Sequence, residues 1–481
     1  MTLTLFGVLT IAISLWLMLR GTSLQQFAFV IYASLLGGSS AINLPALGGS
    51  SIRPFLLAFL MLFLRLALTR IGGFSALLRG FRHNIALVGF CAYGIVGAMI
   101  LPHVFAGQVD LVPMRPINLR NNLTDRYPLA FSSQNITAAF YFVGTLLSVA
   151  VGDILARREG AHRTLVNTFV ATGWLHIGFG VLGVVLKLTH HEQLLGFFRN
   201  ANYAQLDHEY QGFVRITGIM PEASVYAGYG FQMLVITTEL WLRGIRAKAT
   251  GAVSLTMALI LLLSTSSSAY VGLAGYAVLL VLRWMIFPQA LGTRKAAILV
   301  SCVVGGLAAV LALAVALPHF TAQLQGMLEH MTVDKGSSRS ASERGAWARQ
   351  GFDAFRASYG LGVGPGSFRS SSNITAIIGA MGVIGVVAYV GYLAQVLKPW
   401  RDSTFRPIDV GDLQSVGVAI SWSLIAGIIP ALVNASSPDP GVMFGILASM
   451  TLVWRGVRAQ VRVDASAAAR PEMRRSAQEI V

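Results

Sequence analysis

The chain has 481 residues, of which 55% are hydrophobic and 12% are charged. One water-soluble core cannot bury that much apolar side chain, so the composition excludes a soluble globular protein and indicates an integral membrane protein. The formal net charge of +16 lies in short Lys and Arg clusters between apolar runs, which argues against a nucleic-acid-binding domain.

Apolar segments long enough to cross a bilayer follow one another from the N-terminus. The first lacks a basic leader, so we predict a retained helix rather than a cleaved signal peptide. The long run 251–287 is divided into a hairpin at its Ser/Thr-rich middle, 264–268. The predicted spans are 2–20, 25–45, 54–70, 85–106, 132–155, 164–188, 222–242, 251–265, 268–287, 296–317, 373–397, 414–434 and 441–455.

The predicted fold class is therefore all-α: a polytopic transmembrane bundle of about 12–13 spans with a large extracytoplasmic loop that contains short helices. Cys91 and Cys302 both fall inside spans, so they cannot form a disulfide framework. The short basic loops all fall on one side, which we predict to be the cytoplasm. One membrane domain then covers 1–462, with outer loops at 107–131, 189–221 and 318–372, and 463–481 is a disordered cytoplasmic tail.

The three outer loops carry arginines, against the usual asymmetry of charge. A single exported arginine is explained by contact with lipid headgroups. A set dominated by Arg over Lys favours a phosphate or pyrophosphate site, because a planar guanidinium binds two oxygens at once. The arginines are Arg115, Arg120, Arg126, Arg199, Arg215, Arg339, Arg344, Arg349, Arg356 and Arg369.

The stretch 338–373 precedes the span at 373–397 and has two parts. The spacing of Ala346, Phe352 and Phe355 predicts an amphipathic helix with these three side chains on one face. Glycines then recur at 360, 362, 364 and 366, and exposed amides beside arginines would form an anion cradle. The alternative is that the glycines form only a flexible turn that re-enters the membrane.

These residues resemble the signature region of the O-antigen ligase and Wzy polymerase superfamily. The resemblance rests on Arg349, the amphipathic helix, the Gly362–Gly364–Gly366–Phe368 turn and Ser372–Asn373 before a Gly-rich span. A second segment, RITGIMPEASVY, is similar to the Arg–Gly–Pro segment of exopolysaccharide polymerases and contains Glu222 and Ser224. The Ser/Thr-rich turn LLLSTSSSAYVGL and the helix start SSQNITAAFY also look like family elements.

The resemblance implies glycosyl transfer from undecaprenyl pyrophosphate to an acceptor hydroxyl. Arg215 and Arg344 would stabilise the leaving pyrophosphate, with Arg349 as a helper. Gly362, Gly364, Gly366, Ser372, Asn373 and Ser224 are the predicted substrate-binding residues.

The identity of the general base is a separate question. Ligases of the family carry a His where this chain has Ser372, and a hydroxyl of ordinary pKa cannot act as a base at neutral pH. Glu222 is the predicted base, ahead of Glu343 and Asp353. The alternative role of Glu222 is to cap the helix that follows it.

The missing His and the Glu-x-Ser segment favour a repeat-unit polymerase over a ligase that transfers the glycan to another acceptor. A lipid-linked sugar transporter or flippase and a non-catalytic assembly scaffold are the competing classes. No metal-ligand spacing is present, so we expect neither metal nor cofactor. The expected partners are lipid-linked oligosaccharide donor and acceptor, membrane lipids and a chain-length regulator or export complex, with no nucleic acid. The expected location is the bacterial inner membrane with the site facing the periplasm.

Overall fold

Helices make up most of the described chain in this computed structural model. The structure describes residues 2–44, 50–68, 73–115, 125–201, 209–210, 213–264, 266–286, 294–295, 297–301, 305, 339–397 and 412–454. The main helices are α1 Leu5–Arg20, α2 Ser23–Ala33, α3 Pro54–Leu68, α4 Gly73–His83, α5 Ile85–Val104, α6 Ser133–Ala156, α7 Ala161–Leu188, α8 Gln193–Phe198, α9 Ala223–Leu242, α10 Ala247–Leu263, α11 Ser267–Ile286, α12 Arg339–Ala357, α13 Asn373–Leu397, α14 Asp412–Ala426, α15 Ile428–Ala431 and α16 Val442–Trp454.

The prediction of a polytopic helical membrane protein is confirmed. Within the described residues, six helices are long and apolar enough to span a bilayer: 85–104, 133–156, 161–188, 267–286, 373–397 and 413–431. Four shorter apolar helices, α1, α3, α10 and α16, pack among them. The predicted hairpin is present as α10 and α11, whereas most of the predicted span 296–317 lies outside the described residues.

The predicted span 25–45 is wrong in its extent. The Thr22 hydroxyl and the Gln25 side chain form a capping box that starts α2, but this helix ends at Ala33, after 11 residues. The chain then passes Gly37 and Gly38, whose close contacts with Met220 and Ile219 leave no room for a Cβ atom. An extended strand follows instead of the roughly three further helical turns that the prediction requires.

Short antiparallel strands, absent from the all-α prediction, occur in the connections. Thr2–Leu3 (β1), Ile42–Leu44 (β2) and Ser50–Ile52 (β3) form a three-stranded sheet, with Leu3 opposite Ile42 and Ile42 opposite Ile52. Asp110–Leu111 (β4) pairs with Tyr127–Pro128 (β5), and Glu209–Tyr210 (β6) pairs with Phe213–Val214 (β7). The pairing of β1 with β2 and of β4 with β5 joins residues that are far apart in the sequence, which local apolar periodicity cannot predict.

One end of the bundle, here the basic end, is held by charged networks. The Asp153 carboxylate is fully buried and accepts hydrogen bonds from Arg157 Nε at 3.0 Å and Arg79 Nε at 3.3 Å, and it contacts His83 Nδ1 at 2.7 Å. Arg79 and His83 lie on α4, an amphipathic helix that the sequence analysis treats as a basic loop. The network therefore fastens α4 to the end of α6.

The opposite end, here the site end, carries α12 and the start of α13. The buried face of α12 comprises Trp347, Gln350, Gly351 and Ala354, whereas Phe352 is 46% exposed. The predicted face of Ala346, Phe352 and Phe355 is therefore wrong, although the helix itself is confirmed. Small residues face inward because α12 packs closely on α13, where a Cβ atom at Gly351 would lie 2.4 Å from the Thr375 carbonyl oxygen.

Candidate active site

Two adjoining cavities lie at the site end. The loop-side cavity, about 310 Å³, lies between α6 residues such as Thr137 and the loop residues Gly366 and Phe368. The helix-side cavity, about 410 Å³, is lined mainly by apolar side chains of the surrounding helices. Arg53, Phe55, Ser437 and Asp439 line both cavities, so the two form one continuous candidate site.

Two polar side chains that line these cavities provide acceptors for a hydroxylated ligand. Asp439 lies between Pro438 and Pro440, in the connection before α16, and its Oδ1 accepts from Thr145 Oγ1 at 2.7 Å and from the Gly441 amide at 3.2 Å. Burial raises the pKa of Asp439 to about 6, in opposition to those two hydrogen bonds. Asn373 is 6% exposed, and its Oδ1 has no donor among the described residues.

The glycine turn packs tightly rather than presenting free amides. Gly362, Gly364 and Gly366 all have φ near +90°, a conformation that glycine adopts without strain. The Gly362 amide donates to Ser358 Oγ at 2.8 Å, and the Gly364 amide donates to the Ala380 carbonyl at 3.0 Å. A Cβ atom at Gly366 would lie 2.4 Å from the Gln134 carbonyl oxygen. These glycines therefore bring the loop against α5, α6 and α13, and their contact with substrate stays a prediction.

Arg369 contacts two other described segments; it is one of the outer-loop arginines seen in the sequence but not one of the ten predicted site residues. Its amide donates to the Val112 carbonyl at 3.0 Å, and its guanidinium stacks 4.2 Å from the centre of the Trp347 ring. Gln350 joins the same three segments by accepting from the Val112 amide at 2.8 Å and donating to the Arg369 carbonyl. Burial lowers the pKa of Arg369, whereas the nearby carboxylates Glu222 and Glu343 raise it.

Glu222 starts α9 but its side chain does not cap that helix. Its backbone carbonyl accepts from the Tyr226 amide at 3.0 Å, as an N-cap residue does, yet no helix amide donates to its carboxylate. Glu222 Oε1 instead accepts from Ser224 Oγ. Glu222 and Ser224 are therefore in contact, and the Glu222 carboxylate lies close enough to Arg369 for their charges to interact.

Arg199 and Arg215 flank the segment that leads to Glu222. Arg199 is 5% exposed, and it donates to Thr217 Oγ1 and to the Gly218 carbonyl. These hydrogen bonds hold the segment that contains Thr217 and Gly218 in place. Arg199 therefore has a structural role, and it lines neither cavity. Arg215 is half-buried at the start of that segment, which packs through Ile216 against Met220 and Tyr226. Met220 lines the helix-side cavity.

The start of α12 is tied to the start of α13. The Arg344 carbonyl accepts from Ser371 Oγ at 2.7 Å, and the Ser371 carbonyl accepts from the Ala435 amide at 3.4 Å. Arg344 is half-buried, whereas Arg349 is exposed and its Nε donates to the Gly345 carbonyl of its own helix at 3.3 Å. Ser372 is half-buried beside Asn373, and its amide donates to Ser370 Oγ at 3.2 Å.

Of the ten predicted site residues, Gly366 lines the loop-side cavity and Asn373 lines the helix-side cavity. The others lie in the segments around these cavities. Arg53 and Asp439 are absent from the sequence prediction, and Arg369 appears there only among the outer-loop arginines. An acidic residue between two prolines, in the short connection between the last two apolar segments, is the one local signal that could have found Asp439. Among the described residues no group of three His, Cys, Asp or Glu side chains is placed to hold a metal ion.

The family model described as O-antigen ligase matches residues 252–382. The matched stretch includes α10, α11, α12, the glycine turn and the first part of α13. It supports the resemblance to the O-antigen ligase and Wzy polymerase superfamily and, at a coarse level, a membrane glycosyl-transfer function. No curated protein matches the chain.

Proposed function

We propose that this protein joins lipid-linked oligosaccharide repeat units into a polysaccharide, as a polymerase of the bacterial inner membrane whose site end faces the periplasm. The observation that carries the proposal is the match to the ligase family over the segment that builds one wall of the candidate site. The resemblance of the Glu222–Ser224 segment to exopolysaccharide polymerases supports the finer assignment. The donor would be an oligosaccharide on undecaprenyl pyrophosphate.

The arginines fit the charge that this reaction develops. When the bond from the sugar to the pyrophosphate breaks, negative charge accumulates on the leaving oxygen, and preorganised guanidinium groups stabilise it. Arg215 and Arg344 are half-buried, so water screens their charge less than it does at an exposed surface. Arg53 lines both cavities and adds a further cation there. This mechanism needs no metal, and metal independence stays a prediction.

The test uses the full chain, purified and reconstituted in liposomes with a synthetic lipid-linked repeat unit. We expect a ladder of products that differ by one repeat. Arg215→Ala and Arg344→Ala should each slow ladder formation by about 10²–10³-fold, the usual effect of losing one transition-state donor. Arg20→Ala, an exposed change at the basic end, is the matched control and should keep the wild-type rate. Movement of the intact donor across the bilayer without a ladder would identify a transporter.

Ligation is the second candidate, because the matching family model is described as an O-antigen ligase. The two reactions share the donor and differ in the acceptor. A ligase supplied with lipid A core would form one capped product, whereas a polymerase supplied with repeat units alone would form the ladder. Adding each acceptor to the same liposomes separates them.

A further inference from the structure

Asp439 is the acidic residue that lines both cavities, and it has no part in the proposed stabilisation of the leaving pyrophosphate by arginines. Its carboxylate accepts two hydrogen bonds from the described residues. Thr145 and Gly441 are the donors, and both donate to Oδ1. Oδ2 is left to accept from a ligand. The two cavities that meet at this carboxylate are lined by far more apolar than polar side chain, which raises the pKa of Asp439 to about 6.

Asn373 provides a second acceptor in the same space. Its side chain is almost fully buried at the first turn of α13, it lines the helix-side cavity with Asp439, and its Oδ1 has no donor within the described part of the chain. A buried acceptor without a donor is costly, so such groups are commonly completed by a ligand. Two acceptors beside one cation, Arg53, suit a sugar that offers hydroxyl donors next to an anionic group.

We propose that Asp439 is the general base for the acceptor sugar and that Asn373 Oδ1 orients that sugar through a second hydroxyl. The proposal rests on the proposed function. The acceptor oxygen forms a bond to the anomeric carbon of the donor while the bond from that carbon to the pyrophosphate oxygen breaks. The electron pair leaves with the lipid pyrophosphate, and the hydroxyl proton moves to Asp439 Oδ2.

This assignment differs from the sequence prediction of Glu222 as the base. Glu222 Oε1 accepts from Ser224 Oγ, and its charge interacts with Arg369, so the structure gives this carboxylate a role in holding the arginine. Asp439 differs because it lines both cavities and keeps one oxygen open. Among the described residues, the other titratable or charged groups that line the two cavities are Arg53, Tyr141, Tyr229 and Tyr389, and the Cys91 thiol also lies close enough to interact with Asp439.

The pH profile of ladder formation tests the proposal. A base must be ionised, so the wild-type rate should be constant above about pH 6 and should fall about tenfold for each pH unit below it. Asp439→Asn should lower the rate at pH 8 by at least about 100-fold and abolish the acidic limb. Its melting temperature at pH 8 should be equal or higher, because the change removes a charge from a largely apolar cavity. Asp110→Asn, which changes an exposed carboxylate in β4, is the matched control and should retain both the rate and the limb.

Thr145→Val gives a second, independent readout. The Thr145 hydroxyl stabilises the ionised carboxylate of Asp439, so its loss should move the acidic limb to higher pH without abolishing it. This shift can be measured even if Asp439→Asn does not fold. A wild-type protein that forms no product would overturn the proposed function itself. An active wild type whose Asp439→Asn variant keeps its rate, or whose limb disappears in Glu222→Gln instead, would overturn the assignment of Asp439 alone.

Discussion

Glu239 shows at the scale of one residue how this bundle tolerates charge away from water. The carboxylate is fully buried near the end of α9. Its two oxygens accept from Arg283 Nη1 at 2.9 and 3.0 Å. It also accepts from the Tyr276 hydroxyl at 2.9 Å and from Arg243 Nη1. Arg283 also stacks 4.8 Å from the centre of the Trp422 ring. The charges of two buried arginines, Arg243 and Arg283, are therefore both compensated by the Glu239 carboxylate.

Glu239→Gln should destabilise the protein strongly. Removing one partner leaves buried charge uncompensated, which costs about 3–5 kcal/mol. Asp353→Asn removes the anion of a half-exposed pair with Arg126, whose atoms are 3.5 Å apart, and should cost less than about 1 kcal/mol. Thermal unfolding of both variants in the same detergent measures the difference. Equal melting temperatures would show that the buried arginines find other compensation.

Sequence reasoning at this scale finds residues whose chemistry is local. The sequence predicts Glu222 and Ser224 as site residues, and in the structure the Glu222 carboxylate accepts from the Ser224 hydroxyl two positions away. The partners of Arg369 are Val112 and Gln350, so its position depends on contacts between distant loops. The raised pKa of Asp439 is likewise a property of the cavity, because the turn sequence around it is typical of any exposed connection.

The break in α13 is the most informative feature at the scale of elements. Gly382 has φ +59° and ψ −154°, so the helical backbone is interrupted within the span. The Val383 amide donates to the Gly360 carbonyl at 2.9 Å, which fastens the glycine turn to the break. The break thus fixes the position of the loop that carries Gly366 and Arg369.

Gly382→Ala should therefore disturb both stability and activity. A Cβ atom there would lie 2.0 Å from the Gly360 carbonyl oxygen, and the positive φ adds about 1–3 kcal/mol of strain for a non-glycine residue. Gly391→Ala in the same helix meets nothing within 4 Å and should stabilise the helix by up to about 1 kcal/mol. Unfolding midpoints and ladder rates of the two variants provide the comparison. A harmless Gly382→Ala would mean that the helix can run straight without displacing the turn.

Elements with a long apolar run are predicted well, because length and hydropathy alone decide whether a segment can span a bilayer. The segments 85–106, 132–155 and 373–397 correspond to α5, α6 and α13 within two residues at either end. Sequence-based prediction fails for features that depend on packing between helices. The buried face of α12 follows from Gly351 lying against Thr375, and α4 folds as a helix because α6 and α5 cover it.

At the scale of the whole molecule, the distribution of charge gives the bundle a polarity. Arg79, Arg157 and Arg243 lie at the basic end, together with Arg246, whose guanidinium donates to Asn167 Oδ1 and so joins the starts of α7 and α10. Asp439, Asn373 and the glycine turn lie at the site end. Since short basic connections are retained in the cytoplasm, the basic end should face inward and the candidate site outward.

Cysteine labelling tests this orientation directly. In a background with Cys91→Ser and Cys302→Ser, Ser436→Cys adds an exposed thiol beside the candidate site, and Glu159→Cys adds one in the turn between α6 and α7. A maleimide that does not cross the inner membrane should label position 436 in intact cells and position 159 only after the membrane is permeabilised. The reverse pattern would place the cavities on the cytoplasmic side. The candidate site could then not reach lipid-pyrophosphate-linked glycans in the periplasm. Both the proposed arginine mechanism and the proposed role of Asp439 would be wrong.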